Sequence, residues 1–305
     1  MPHSKNIQKQ LTEKQPWIGR FAPSPTGELH LGSLVAAVAS YMIAKRQGGQ
    51  WLVRIEDLDP PREIKGAAKS ILTSLEDFGL CWDGSVTYQS QRNAIYKQRL
   101  EELFSLKFVY QCDCSRRMIE ERNHGVYDGF CRSRSLIQNA EQATRIKFSS
   151  GFEKFDDHIL GKCQFDSEAD KQDFIVKRRD GLFAYQLAVV ADDIEQNINH
   201  VVRGQDILDS TPRQNFLYHC FGLTAPEYFH VPLVKDNSGV KFSKRSAAEP
   251  VKKNQATTLL LKALTHLGQS VEREMLDAKP IEIIRYYEEH WQLEKLIGRV
   301  SIESH

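Results

Sequence analysis

The run from Trp17 to Asp57 constrains this chain most. A short apolar strand, WIGRFA, leads into the loop PSPTGE, a helical run from about His30 to Gln47, the pair Gly48-Gly49 and a second strand, QWLVRIED. Tryptophan, valine and isoleucine in the flanking runs suit buried parallel strands, and the double glycine is a good stop for the helix between them. The pattern is a β-α-β unit, which places ligands beyond the C-terminal ends of its strands. The fold class it predicts is α/β with a parallel sheet.

Two helical stretches follow Pro60-Pro61, about Glu63 to Phe78 and Gln91 to Leu106, with apolar residues at three- and four-residue steps. They are expected to cover the sheet. From Phe108 the texture changes to short β-like runs: FVYQCDC, TRIKF, DFIVKRR and LFAYQLAVV, the last two joined by an Asp180-Gly181 turn that signals a hairpin. Residues from about 108 to 185 therefore read as a subdomain inserted between two halves of an α/β core. HVVRGQDILDS returns to a strand followed by a helix, YFHVPLV supplies another strand before the loop KDNSGVKFSKR, and residues 246–305 are helical in pattern.

Composition limits the partners. Hydrophobic residues make up 41% of the 305, and 41 basic against 40 acidic residues leave a net charge of +1, so nothing global draws the chain to nucleic acid or anionic lipid. Any such partner must be met by a local patch. The longest apolar run, Leu29 to Ala44, has 16 residues and falls short of the roughly 20 that span a bilayer, so no membrane helix is expected. Residues 1–15 are polar, lack the apolar core of a secretory signal, and read as a flexible extension of a cytoplasmic protein.

The loop PSPTGELHLGS sits where a strand meets a helix N-terminus, whose free N–H groups and positive dipole end suit a phosphate. His30 could donate to a phosphoryl oxygen there, and Gly32 would let a flat base approach the backbone. Neither residue proves a site alone, and the loop lacks the Walker pattern. The second loop sets Lys241, Lys244 and Arg245 within five residues, and from 235 to 253 six basic residues face two acidic ones. An isolated KxSKR is usually a solvated loop, but here two such loops, over 200 residues apart, each follow a strand.

With these residues, FAPSPTGELHLGS resembles the HIGH motif and KFSKR the KMSKS motif of class I aminoacyl-tRNA synthetases. RFAPSPTG, RIEDLDP, HVVRGQDILDSTPRQ and VPLV before KFSKR resemble the glutamyl branch, from about Trp17 to Pro250. Leu31 and Ser33 depart from the first consensus, Phe242 and Arg245 from the second. The resemblance implies a Rossmann-type catalytic domain over 16–245 that forms an aminoacyl adenylate from ATP, with Mg²⁺ balancing the triphosphate. It assigns His30, Lys241 and Lys244 to catalysis, with His30, Gly32 and Lys244 binding ATP. For glutamate, it implies Arg20 and Arg203 on carboxylate charge, Ser24 and Tyr185 as hydrogen-bonding groups, Glu56 on the ammonium, and Phe21, Ala22 and Pro23 beside them. Which arginine meets which carboxylate stays open, and Glu56 could instead pair with Arg54. Arginine against a side-chain carboxylate favours glutamate over glutamine, since a neutral amide leaves the cation unpaired.

Cys112, Cys114 and Cys131 fall within twenty residues, a spacing that favours Zn²⁺ in a reduced protein and needs one more ligand. His124 is the better generic fourth ligand. Shortened relatives of glutamyl-tRNA synthetase carry a similar Cys-x-Cys, Tyr-x3-Cys arrangement, which puts Tyr127 first and implies one structural zinc. Cys81, Cys163 and Cys220 are isolated and read as core.

A full glutamyl-tRNA synthetase continues into a helical anticodon-binding domain, for which 246–305 is too short. The resemblance is therefore to the glutamyl-queuosine tRNA(Asp) synthetase family. It implies tRNA-independent activation of L-glutamate and transfer to queuosine at the wobble position of tRNA(Asp), with ATP, L-glutamate and the tRNA(Asp) anticodon loop as partners. The enzyme is expected to be a monomer. The alternative is a truncated glutamyl-tRNA synthetase charging a tRNA acceptor end.

Overall fold

The computed structural model describes residues 16–46, 48–134, 136, 142–167, 171–234 and 250–298. The extension expected over 1–15, and the second loop with Lys241 and Lys244, lie outside the described residues.

The opening unit consists of β1 (Ile18–Phe21), α1 (Leu31–Arg46) and β2 (Gln50–Ile55), with β1 and β2 parallel and Ile18 in register with Gln50. Ten of the sixteen residues of α1 are buried, which explains why its sequence shows so little amphipathic pattern. The helix stops where Gly49 N–H donates to Ala44 O at 3.1 Å. A Cβ on Gly49 would stand 2.1 Å from Trp17 O, so only glycine lets the chain turn this close to β1.

The chain then runs through α2 (Ala67–Asp77), β3 (Thr87–Tyr88), α3 (Asn93–Ser105), β4 (Val109–Cys112), α4 (Arg116–Asn123), β5 (Ala143–Ile146), β6 (Lys154–Asp157), β7 (Gly161–Gln164) and β8 (Phe174–Lys177). It continues with α5 (Tyr185–Glu195), β9 (His200–Gly204), α6 (Thr211–Cys220), β10 (Glu227–Val231), α7 (Ala256–His266) and α8 (Pro280–His290). Seven strands form one sheet in the order β3-β2-β1-β9-β10-β6-β7, parallel except for the β6-β7 hairpin. From β1 the sheet grows first one way to β2 and β3, then the other way to β9 and β10. That reversal lies between β1 and β9, where an open α/β sheet opens a crevice. The apolar faces of α1, α7 and α8 meet in the main core through Leu34, Val38, Leu260, Leu264, Ile283 and Ile284.

Within the segment from 108 to 185, β4, β5 and β8 form a separate antiparallel sheet, while β6 and β7 extend the large one. One expectation is corrected here. Asp180-Gly181 does form a turn, with Gly181 at φ +88° and Lys177 bridged to Phe183, but LFAYQLAVV does not continue as a strand. From Tyr185 it is helix α5, with Leu187 to Asp193 buried. A short, fully buried apolar run carries no period by which strand and helix can be told apart. Cys81, read as core, is exposed, Cys163 is half-buried and Cys220 is buried.

Candidate active site and metal centre

The crevice at the strand reversal is a cleft of about 390 Å³. Arg20 and Phe21 end β1 and continue into Ala22, Pro23 and Ser24; His30, Gly32 and Ser33 open α1; Glu56 follows β2; Tyr185 opens α5; Arg203 and Gly204 end β9. All ten described residues that the sequence suggested for glutamate and ATP line this one cleft. Tyr185 reaches it because the helix starts there.

Beneath the cleft lies a buried network of charges. Asp193 Oδ1 accepts from Arg20 Nε at 3.1 Å and from Arg54 Nη1 at 2.8 Å. Burial raises the cost of that carboxylate's charge, yet the two guanidinium groups outweigh it and hold its pKa below the ordinary value. Its neighbour Asp192 accepts from Gln89 at 2.7 Å, from Tyr96 OH at 2.8 Å and from Arg92. Glu56 Oε1 is 3.5 Å from Arg54 Nη2. Burial pushes the Glu56 pKa up to about 7; Arg54 and Arg20 pull it down without overcoming that effect, and Asp193 adds to the rise.

Arg203 differs from Arg20. Its Nε donates to His230 Nε2 at 2.9 Å, Nη1 to Gln214 Oε1 at 2.7 Å and Nη2 to Thr211 Oγ1 at 2.7 Å. All three acceptors are neutral, and no carboxylate among the described residues lies within 4.0 Å of it. A buried guanidinium with three of its five N–H donors engaged and no counter-charge among the described residues is suited to receive an anion.

At the other end of the cleft, His30 precedes α1, where Ser33 N–H donates to His30 Nδ1 at 3.3 Å. Nδ1 is then an acceptor, so the ring proton sits on Nε2, 3.1 Å from Ser33 Oγ. The arrangement holds a donor beside the helix N-terminus.

The metal candidate lies in the small sheet's corner. The three Sγ atoms of Cys112, Cys114 and Cys131 fall within 4.8 Å of one another and are buried. A tetrahedral ion with metal–sulfur bonds of about 2.3 Å sets its sulfurs roughly 3.8 Å apart, so the group fits one. Tyr127 OH is 3.7 Å from Cys112 Sγ, whereas His124 is an exposed residue at the end of α4 and is not part of the group. Each thiol also meets a guanidinium: Arg145 Nε at 3.4 Å from Cys112, Arg122 Nη2 at 3.3 Å from Cys114, and Arg134 Nη1 at 3.5 Å from Cys131. These donors suit sulfurs carrying negative charge.

The residues that sequence reasoning missed are Asp192, Asp193, His230, Thr211 and Gln214. Two adjacent aspartates inside the apolar run AVVADDI were the available signal for the first two. Reading LFAYQLAVV, which ends just before them, as a strand hid it.

This site and fold define a class I synthetase core, and a profile described as tRNA synthetases class I (E and Q), catalytic domain, matches residues 18–297. The chain is 44% identical over 286 residues to the glutamyl-Q tRNA(Asp) synthetase of Pseudomonas putida (strain W619), spanning 94% of this chain and 96% of that protein. With the Vibrio vulnificus (strain YJ016) protein of the same name it shares 46% identity over 286 residues, 94% of this chain and 93% of that one. The chain belongs to the glutamyl-Q tRNA(Asp) synthetase family of class I tRNA synthetases. Its fold is similar to the glutamate tRNA ligase of Elizabethkingia meningosepticum, solved with its amino acid, at TM-score 0.79 and 23% identity, covering 95% of this chain and 67% of that one.

Proposed function

We propose that the chain activates L-glutamate with ATP, without tRNA, and transfers the glutamyl group to queuosine at the wobble position of tRNA(Asp). The observation that carries the reading is the pair of opposite needs at one cleft: Arg203, buried with only neutral acceptors among the described residues, and Glu56, a buried carboxyl poised for a cation. An α-amino dicarboxylic acid answers both. The names of relatives matched along almost the whole chain support the same substrate and acceptor.

In this reading Glu56 takes the ammonium, Arg203 and Arg20 take carboxylate charge, Ser24 and Tyr185 donate hydrogen bonds, and Phe21, Ala22 and Pro23 wall the pocket. A glutamate carboxylate oxygen then bonds to the α-phosphorus of ATP as the bond to pyrophosphate breaks. His30 donates to the α-phosphate and Gly32 lies under the nucleoside; Lys244, assisted by Lys241, meets the charge growing on pyrophosphate. Such a reaction depends on positioning and charge stabilisation more than on a protein base. Mg²⁺ accompanies ATP and offsets its triphosphate charge. In the second step a hydroxyl of queuosine attacks the glutamyl carbonyl and AMP leaves. A single-stranded anticodon loop can splay its modified base into a cleft, with phosphate contacts from the basic stretch Lys241 to Lys253.

Cys112, Cys114, Cys131 and Tyr127 would hold one Zn²⁺ in a closed structural site. The reading also includes a monomer working in the cytoplasm; no helix of the described residues is long and apolar enough to cross a membrane.

The test is ATP–pyrophosphate exchange with each amino acid in the absence of tRNA, followed by transfer of labelled glutamate to tRNA(Asp) with and without queuosine. Glutamate should exceed glutamine and aspartate at least tenfold, and transfer should require queuosine and weaken with salt. Equal glutamine turnover would remove the substrate reading. Label lost with the terminal adenosine would instead make the chain an acceptor-end glutamyl-tRNA synthetase.

A further inference from the structure

Behind Arg203 stand two buried polar residues that do not themselves line the cleft. His230, on β10, and Asp157, at the end of β6, both have fully buried side chains. His230 Nδ1 is 2.7 Å from Asp157 Oδ2, and its other ring nitrogen is the acceptor for Arg203 Nε at 2.9 Å. Since a guanidinium nitrogen can only donate, Nε2 must be bare and the imidazole proton must sit on Nδ1, facing the carboxylate. Thr211 Oγ1, 3.3 Å from the same Nε2, already accepts from Arg203 Nη2 and so has its hydroxyl proton for the ring. Asp157 is fixed in turn: Oδ1 accepts from the backbone N–H of Ile159 and of Leu160, each at 2.9 Å, and Oδ2 from the backbone N–H of His230 at 3.1 Å.

We propose that Asp157 and His230 are positioning residues for substrate glutamate: the carboxylate selects the Nδ1–H form of His230, which gives Arg203 a bare nitrogen to point at and turns its remaining donors to the cleft. The proposal rests on Arg203 binding a glutamate carboxylate. Protonating the imidazole, or moving its proton to Nε2, sets two donors against each other and pushes the guanidinium out of place. Burial, together with the Arg203 and Arg20 charges, lowers the His230 pKa against the pull of Asp157, which keeps the ring neutral.

The proposal separates orientation from mere packing. Asp157→Asn is nearly isosteric, but with its oxygen kept on Ile159 and Leu160 its amide nitrogen faces His230 and favours the wrong tautomer. His230→Phe keeps a ring without nitrogens, and His230→Gln restores one acceptor and one donor.

The experiment measures pyrophosphate-exchange kinetics of the full chain and these variants beside Arg203→Gln, with thermal melts, and reads the His230 ring nitrogens by NMR in 15N-histidine-labelled wild-type protein. The expected result is a neutral Nδ1–H tautomer, a glutamate KM at least tenfold higher in Asp157→Asn and His230→Phe with the ATP KM within about twofold, and recovery to within about threefold in His230→Gln. An Nε2–H or doubly protonated ring in the wild type overturns the proposal without any variant having to fold. If Arg203→Gln raises the glutamate KM while folded Asp157→Asn or His230→Phe does not, the proposal fails and the substrate reading stands. If Arg203→Gln itself leaves the glutamate KM unchanged, the substrate reading fails first.

Discussion

Arg54 stands 3.5 Å from Glu56 but only 2.8 Å from Asp193, so the guanidinium beside Glu56 is committed mainly to another carboxylate. Glu56 is left buried with a weak partner and ionises near pH 7. If it receives the substrate ammonium, kcat/KM for glutamate in pyrophosphate exchange should rise as pH passes through about 7 and level off above it. Glu56→Gln should flatten that profile and lower kcat/KM by about 10².

The same group acts on stability with the opposite sign. Its folded pKa is raised, so the folded state holds the proton more tightly, and stability falls as pH climbs from 4.5 to about 7. At about 1.4 kcal/mol per pKa unit, ionisation costs about 3 kcal/mol by pH 8. Glu56→Gln, which resembles the protonated form, should therefore be more stable than the wild type in denaturant melts at pH 8 and close to it at pH 4. A loss of stability at both pH values would contradict this account.

Asp192 should be among the most costly residues to remove. Asp192→Ala leaves Arg92, Tyr96 and Gln89 without their buried acceptor and takes one carboxylate from beside Arg54. Breaking a buried charged network from one side costs about 3–5 kcal/mol. Urea titration at pH 7.5 measures this, and a change under 1 kcal/mol would mean the network relaxes freely.

Elemental analysis of protein purified in reducing buffer should find one Zn²⁺ per chain. Cys131→Ser should lose it, and Tyr127→Phe should weaken it while His124→Ala does not. Chelation should destabilise the β4-β5-β8 region in hydrogen exchange before it slows glutamate activation. Metal lost in His124→Ala alone would reassign the fourth ligand.

His30→Ala and Lys244→Ala should each lower kcat of pyrophosphate exchange by about 10², as expected for losing a preorganised donor to developing charge. Near-normal rates in both would remove the two loops from the chemistry.

Much of the cleft was legible because its residues sit in short ordered runs at strand ends: RFAPS across the end of β1, Glu56 after β2 and Arg203 in β9. The three clustered cysteines were legible for a related reason, since their spacing in the chain already brings them close. The floor of the cleft was not. Asp193 meets Arg20 across 173 residues, and Asp157 meets His230 across 73, so no local spacing announces either pair. The helix of Tyr185 was hidden by burial on all sides, which erases the period that would have betrayed it.

The β6-β7 hairpin alters what can be exchanged between relatives. Because β6 is hydrogen-bonded into the large sheet beside β10 and ends in Asp157, residues 108–185 do not behave as a cassette. A chimera that replaces them imports a foreign residue beneath His230 and another at Tyr185, and so alters the glutamate pocket from behind as well as at its rim. Drift in the part of the chain that carries the cysteines is therefore constrained by the chemistry of the part that does not.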